Sequence, residues 1–224
     1  LSDFPAESLS EIIKNFHNTI WRYENEFIPA VQADKADRAV NCGEEIKFVM
    51  QRREDCKKLV ELIEKDELPL RVTHNDTKLN NVLFDSDSDD AICVIDLDTV
   101  MPGLALYDFG DSIRFGANSC AEDDDNYDKV ELMLDYFEAY AKGFLSEAGD
   151  ALNQCEIDNL AFSAKLMTFE CGMRFLTDYL NGDTYFKTAY PEHNLVRAKN
   201  QFALVADMER KMEQMQQIIK NITE

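Results

Sequence analysis

Four polar residues in the middle of the chain have the types and spacing that phosphoryl transfer requires. His74, Asp76, Lys78 and Asn81 form the pattern H-x-D-x-K-x-x-N between two short apolar runs. This chemistry needs a carboxylate that orients the attacking hydroxyl and accepts its proton, together with oxygen ligands for Mg²⁺. Asp76 supplies the carboxylate and Asn81 an amide oxygen, and Lys78 is close enough in sequence to reach the transferring group.

A second polar cluster follows in the stretch Val94-Ile95-Asp96-Leu97-Asp98-Thr99. Asp96 comes after an apolar run, and a hairpin between the two clusters would return it to the edge that carries Asp76. Its carboxylate would then be the second hard oxygen ligand that Mg²⁺ prefers. Taken singly, these residues also suit ordinary turns, as Asn80-Asn81 does. Their occurrence together favours a catalytic site.

The elements around these clusters are short and extended. Leu70–Thr73, Val82–Phe84 and Ala91–Ile95 are apolar runs, and the acidic stretch 85–90 between the last two predicts the turn of a small hairpin. A calcium loop starting at Asp85 is excluded, because its sixth and twelfth positions would need Gly and Glu and are Asp90 and Asp96.

The rest of the chain has helical periodicity. Apolar residues at spacings of three and four predict a helix from about Leu9 to Pro29, capped by Ser8 or Ser10, and another over about 34–65. Three more helices follow, around 133–144, around 160–175 and from Pro191 onward, and the methionines of the last are assigned to the core. We therefore predict an α+β, mostly α domain over 1–224. It is helical over 1–68, has a β insert over 69–100 that carries the catalytic loop, and is helical again over 101–224.

Composition excludes several classes of protein. The 224 residues include 23 Lys and Arg against 44 Asp and Glu, for a net charge of −21. Such a surface repels nucleic-acid phosphates and anionic lipid, so we expect neither as a partner. No apolar run is long enough to cross a membrane. The six scattered cysteines are expected to be reduced, mostly buried thiols in a cytoplasmic protein.

With these motifs, the chain resembles the aminoglycoside phosphotransferase/choline kinase group of kinase-like folds. The resemblance implies that Asp76 is the catalytic base, that Lys78 is the catalytic-loop lysine and contacts the nucleotide, and that Asn81 and Asp96 bind Mg²⁺ and, through it, ATP. His74, Asp98 and Asp108 are implied as structural support. Asp108 lies in a D-F-G string, but Asp96 already has the metal-binding role, so Asp108 is expected to brace the catalytic loop.

A narrower resemblance concerns the acceptor. The segments 74–82, 94–102 and 173–180 are similar to those of the N-acetylhexosamine 1-kinases, which phosphorylate the anomeric hydroxyl of the sugar. This likeness implies that Arg174, Tyr185 and Phe186 contact the sugar together with Asp76. Arg174 has a simpler interpretation as an ion-pair partner of a neighbouring acid, and the two aromatic residues as loop packing. Choline, homoserine, fructosamine and aminoglycosides remain alternative acceptors.

One part of the kinase pattern is not found. No glycine-rich loop and no V-A-I-K-like strand precedes the first predicted helix, and Gly43 is the only glycine before Gly103. We therefore expect the chain to be the C-terminal, substrate-binding lobe, whose partner is the N-terminal nucleotide lobe of the same protein. Alone, it would be inactive, and a non-catalytic binding domain is the alternative from a different class.

Overall fold

The computed structural model describes residues 5–88 and 90–224. Asp89, in the acidic turn, lies outside the described residues. The fold is mostly helical with small antiparallel sheets, as the sequence predicts. No helix of the described residues is both long and apolar enough for a membrane span.

Two separate two-stranded sheets hold the predicted motifs. Strand β1 (Arg71–Thr73) pairs with β4 (Met101–Gly103), and β2 (Val82–Phe84) pairs with β3 (Ala91–Val94), both antiparallel. Strands β2 and β3 are consecutive in the chain, and the loop of His74–Asn81 does not lie within this pair but precedes it and connects the two sheets. The strands extend to Gly103, and β3 ends at Val94, two residues before Asp96. The left-handed backbone of Asp96, with a φ of 62°, directs the chain away from the strand.

Three helices form the core behind the sheets. Helix α5 (Ala105–Gly116) and helix α8 (His193–Thr223) both pack on the long helix α7 (Gln154–Asn181), while α6 (Leu134–Ala148) lies against α5 and α8. Helix α5 approaches α7 closely at Gly110, where an added side chain would collide with the carbonyl oxygen of Ser163. The methionines assigned to the core include Met208 and Met215, which are completely buried.

The first predicted helix is wrong in position. The helical run begins at Thr19 and ends at Ala33, as α1 (Thr19–Arg22), a π-helical turn (Tyr23–Phe27) and α2 (Ile28–Ala33). The side chain of Asn18 caps α1 by accepting the N–H of Trp21, and Asn15 has a left-handed φ of 56° that breaks any earlier helix. Pro29 does not stop the helix, because it occupies the first turn of α2, where a proline is tolerated.

The helix predicted over 34–65 is two helices, α3 (Gly43–Met50) and α4 (Lys58–Glu64). Left-handed backbone at Asp34 and Asp37 ends the preceding helix and delays the start of α3. The expectation of mostly buried thiols was also too broad, since only Cys42 and Cys56 among the six free cysteines are buried.

Candidate active site

The carboxylate of Asp76 is anchored by one of its two oxygens. Its Oδ2 accepts hydrogen bonds from Lys78 Nζ at 2.8 Å and from Asn81 Nδ2 at 2.9 Å. The side chain is about a quarter exposed, at 27%, so the oxygen opposite this anchor can meet a ligand. The loop therefore fixes the orientation of the Asp76 carboxylate, and Lys78 contacts this carboxylate directly.

Asp108 holds the start of the catalytic loop. It lies in the first turn of α5, and its carboxylate accepts the backbone N–H groups of His74 (Oδ2, 2.9 Å) and Asn75 (Oδ1, 2.7 Å). Burial raises the pKa of Asp108, and the two N–H groups counteract this only in part. The D-F-G string is thus part of a helix, and its aspartate bonds to protein backbone.

His74 also connects the loop to its surroundings. Its Nε2 faces the carbonyl oxygen of Ile95 at 3.0 Å, and its own carbonyl accepts the Thr99 hydroxyl at 2.7 Å. Asp98, in the 3₁₀ turn after Asp96, is exposed and makes no hydrogen bond or ion pair with the described residues. The structure thus places His74 in contact with the loop's neighbours and leaves Asp98 facing solvent.

Asn81 and Asp96 are brought to the same edge. The Ile95 N–H donates to the backbone carbonyl of Asn81 at 2.9 Å, which places Asp96 beside it. Because the Asn81 amide nitrogen donates to Asp76, its Oδ1 is the atom left for a ligand. The described residues contain no cluster of three His, Cys, Asp or Glu side chains suited to a metal. One amide oxygen and one carboxylate nevertheless fit Mg²⁺, which commonly keeps waters and phosphate oxygens as its other ligands.

One cavity joins the catalytic loop to the residues implied in acceptor binding. It has a volume of about 470 Å³, and Asp76, Lys78, Arg174, Tyr185 and Phe186 all line it. Small-molecule sites commonly measure about 300–1,000 Å³. Residues separated by about a hundred positions in sequence thus face one space of ligand size.

Arg174 sits within a group of aromatic rings. Its guanidinium carbon lies 5.1 Å from the ring centre of Phe16, 5.9 Å from that of Tyr185 and 5.5 Å from that of Phe186. Among the described residues, no carboxylate forms an ion pair with it. Burial raises the pKa of Glu170, one helical turn away, but nearby positive charges, that of Arg174 among them, lower it below its usual value. Arg174 thus interacts with a neighbouring acid beyond ion-pair distance, while its N–H donors remain for a ligand.

The loop that carries Tyr185 and Phe186 is fixed by a residue without a predicted role. Asp178, buried near the end of α7, accepts the backbone N–H groups of Thr184, Tyr185 and Phe186 at 2.8–2.9 Å and the side-chain amide of Asn194 at 2.9 Å. Gly182, with a φ of 93°, ends the helix in the left-handed conformation that glycine tolerates. The loop that carries Tyr185 and Phe186 is therefore held in place through its backbone.

A second group that sequence reasoning missed lies behind the catalytic loop. His17 places its Nδ1 2.8 Å from Glu170 Oε1 and its Nε2 3.0 Å from the carbonyl oxygen of Asn75. The Thr19 hydroxyl donates to the other oxygen of Glu170 at 2.6 Å. Glu170 is 1% exposed. The one signal of this group in the sequence is Glu170 itself, an acidic residue on the buried face of α7.

A comparison with protein families agrees with this geometry. The family model described as the phosphotransferase enzyme family matches residues 11–143, more than half of the chain. The chain belongs to this phosphotransferase family. The match covers the whole catalytic loop, Asp96 and Asp108, and it supports kinase-type phosphoryl transfer as the class of chemistry. Arg174, Tyr185 and Phe186 lie outside the matched part, so family membership leaves the acceptor open.

Proposed function

We propose that this phosphotransferase moves the γ-phosphoryl group of ATP to the anomeric hydroxyl of an N-acetylhexosamine. The observation that carries the proposal is the cavity shared by Asp76 and the wall of Arg174, Tyr185 and Phe186. Aromatic faces pack on the apolar C–H face of a pyranose, and a guanidinium offers several N–H donors to its hydroxyl and carbonyl oxygens. A cavity with both groups opposite a catalytic carboxylate suits a sugar.

Asp76 would carry out the proton transfer. With Oδ2 held by Lys78 and Asn81, the other carboxylate oxygen would accept the hydrogen bond of the acceptor hydroxyl and then its proton, as the new O–P bond forms and the bond between the γ-phosphorus and the bridging oxygen breaks to release ADP. Lys78 balances the negative charge of Asp76 and would be close enough to contact the transferring phosphoryl group. Positioning and charge stabilisation account for most of the catalysis in this chemistry.

Asn81 Oδ1 and the Asp96 carboxylate would hold Mg²⁺ with ATP. The ion, when bound, supplies charge neutralisation for the phosphate oxygens. The chain's own contribution would be the backbone hydrogen bond from Ile95 to Asn81, which holds the two segments that carry these donors next to each other.

The hairpin supports the proposal that a nucleotide lobe covers this side of the chain. All four residues of β3 are exposed, with Ile92 at 64% and Val94 at 52%, and Leu83 on β2 is 48% exposed. Adjacent exposed apolar side chains commonly mark a surface that another body of protein or a ligand covers. We propose that the N-terminal lobe of the same protein binds there and that this chain is the substrate-binding lobe.

The acceptor assignment is tested by Arg174→Ala in the full-length protein. We expect the apparent KM for N-acetylglucosamine to rise about tenfold, since a hydrogen bond from a charged donor contributes about 1.5–3 kcal/mol, with unchanged affinity for Mg–ATP. Lys187→Ala is a matched control, because Lys187 lines the same cavity but lies outside the aromatic group. An unchanged sugar KM with lower thermal stability would contradict the assignment.

Choline-like acceptors are disfavoured by the same wall. A quaternary ammonium needs an aromatic cage without a competing cation, whereas the aromatic rings here already surround Arg174. The single tryptophan, Trp21, lines a neighbouring cavity of about 530 Å³ on the other side of Arg174, Tyr185 and Phe186, which line both cavities, and it does not line the one that contains Asp76. A panel of acceptors that includes choline, homoserine and an aminoglycoside separates these possibilities.

A further inference from the structure

The three histidines differ in what their ring nitrogens contact. His74 Nδ1 accepts the backbone N–H of Asp76 at 3.3 Å, and His193 Nδ1 accepts that of Ala189 at 3.1 Å. A ring nitrogen that accepts an N–H has no proton to donate, so Nε2 is the donor position left in these two rings. Their Nε2 atoms face the Ile95 carbonyl and the Asp123 carboxylate, which are acceptors.

His17 has an acceptor at each nitrogen. The carbonyl oxygen of Asn75 cannot donate, so Nε2 must carry a proton. At Nδ1 the partner is the carboxylate of Glu170. Glu170 also accepts the Thr19 hydroxyl at 2.6 Å through its other oxygen, and Arg22 Nε lies 3.9 Å from the oxygen that faces His17, so this side chain is surrounded by donors and a cation, as an ionised carboxylate requires. Both ring nitrogens of His17 therefore donate.

We propose that His17 is a buried imidazolium that, with Glu170, positions the catalytic loop. The ring binds the carbonyl oxygen of Asn75, whose peptide bond leads directly to Asp76. Asn75 has a left-handed φ of 64°, a conformation that a non-glycine residue keeps only when its surroundings fix it. The N–H of Asn75 donates to Asp108, and its side-chain amide donates to the Thr99 carbonyl. His17 binds the remaining polar group of Asn75, its backbone carbonyl.

The pair also connects the loop to the acceptor wall. Glu170 lies one helical turn before Arg174 on α7, and both His17 and Glu170 line the cavity that contains Asp76. His17 is a positioning residue, because it contacts the loop's backbone and not the reacting atoms. The charged and titratable groups that face the pair are Arg22 from α1, Tyr107 and Asp108 from α5, Arg174 from α7, and Cys56 beside Glu170.

The protonation state can be measured without substrate, in the whole chain, by ¹⁵N-detected NMR of the histidine rings at neutral pH. We expect both nitrogens of His17 to carry protons, whereas His74 and His193 show the neutral Nε2–H form and serve as internal controls. The spectrum of His17→Gln identifies the His17 signals. An unprotonated ring nitrogen in His17 under these conditions overturns the proposal.

The positioning role is tested in the full-length enzyme and rests on the proposed function. With whichever acceptor the enzyme phosphorylates, His17→Gly should lower kcat about tenfold or more, since a small misplacement of a catalytic group is costly. The acceptor KM should change little, and added imidazole should restore part of kcat, because the vacated site borders two cavities. His193→Gly, with a buried ring outside the catalytic cavity, should keep its kcat and show no imidazole effect.

The two proposals fail in different ways. A protonated His17 in an enzyme that does not phosphorylate N-acetylhexosamines refutes the acceptor assignment and supports the imidazolium. A sugar kinase in which His17→Gly folds and keeps wild-type kcat refutes the positioning role and leaves the acceptor assignment standing.

Discussion

The close packing of Gly103 against the catalytic loop gives the sharpest test of the site's geometry. Gly103 is the last residue of β4 and pairs with Arg71 of β1. A Cβ atom added there would lie within 3.0 Å of the side-chain oxygens of Thr73 and Asn75. The side chain of Asn75 is itself held by the Thr99 carbonyl at 3.0 Å, so it cannot yield without loss of a hydrogen bond.

We therefore expect Gly103→Ala to disturb the loop and only moderately destabilise the fold. Overpacking costs about 1–3 kcal/mol and a lost hydrogen bond about 1 kcal/mol, so the free energy of unfolding should fall by about 2–4 kcal/mol. Because the displaced residue precedes Asp76, kcat of the full-length enzyme should fall by up to about a hundredfold. Denaturant unfolding and steady-state kinetics measure the two effects.

Two other glycines serve as controls for this substitution. A Cβ at Gly116 meets nothing within 4 Å, so Gly116→Ala should leave kcat unchanged and add about 0.4–1 kcal/mol of stability. A Cβ at Gly110 meets the Ser163 carbonyl, so Gly110→Ala should destabilise the contact between α5 and α7. Wild-type kcat and unfolding free energy in Gly103→Ala would refute the reasoning.

Three further predictions concern single carboxylates. Asp76→Asn should keep nucleotide affinity and lower kcat by about two to four decades, the contribution of a positioned base; retention of a third of the activity would contradict that role. Asp96→Ala should abolish the dependence of nucleotide binding on Mg²⁺ in calorimetry, and an unchanged affinity would assign the metal to Asp98 instead. For Asp207, burial raises the pKa, but Lys211, Arg210 and the Leu132 N–H hold it below its usual range. The ionised Asp207 therefore stabilises the fold at pH values above the usual aspartate pKa, and this stabilisation is lost as the pH falls through the lower pKa of the folded state. Denaturant unfolding of Asp207→Asn should accordingly show a smaller loss of unfolding free energy in acid than that of the wild type.

The sequence predicts local parts of this molecule well. The hairpin of β2 and β3 follows from two apolar runs around an acidic turn, and the H-x-D-x-K-x-x-N spacing brings Asp76, Lys78 and Asn81 together because they share one short loop. The long helices α7 and α8 follow from their sustained periodicity. In each case the interacting residues are neighbours in sequence, so the pattern carries the information.

The failures have a common physical origin in contacts between distant segments. Nothing near His17 indicates a partner 153 residues away, and the apolar spacing of 9–20 suggested a helix that the left-handed Asn15 prevents. Ile12, expected on a buried face, is 62% exposed. Periodicity reports which residues suit burial, but tertiary contacts decide which of them are buried.

The bonds from Asp178 to the loop after α7 have a consequence for how acceptor preference could change. They bind the backbone of Thr184, Tyr185 and Phe186, and none involves the aromatic side chains that line the cavity. Tyr185 is 69% exposed, so substitutions there alter the surface offered to a ligand while the loop retains its course, whereas Phe186 also packs on Phe175 and on the core. Natural or laboratory selection can therefore change acceptor preference at Tyr185 with little loss of folding stability, as sequence variation does in antibody loops on a constant scaffold.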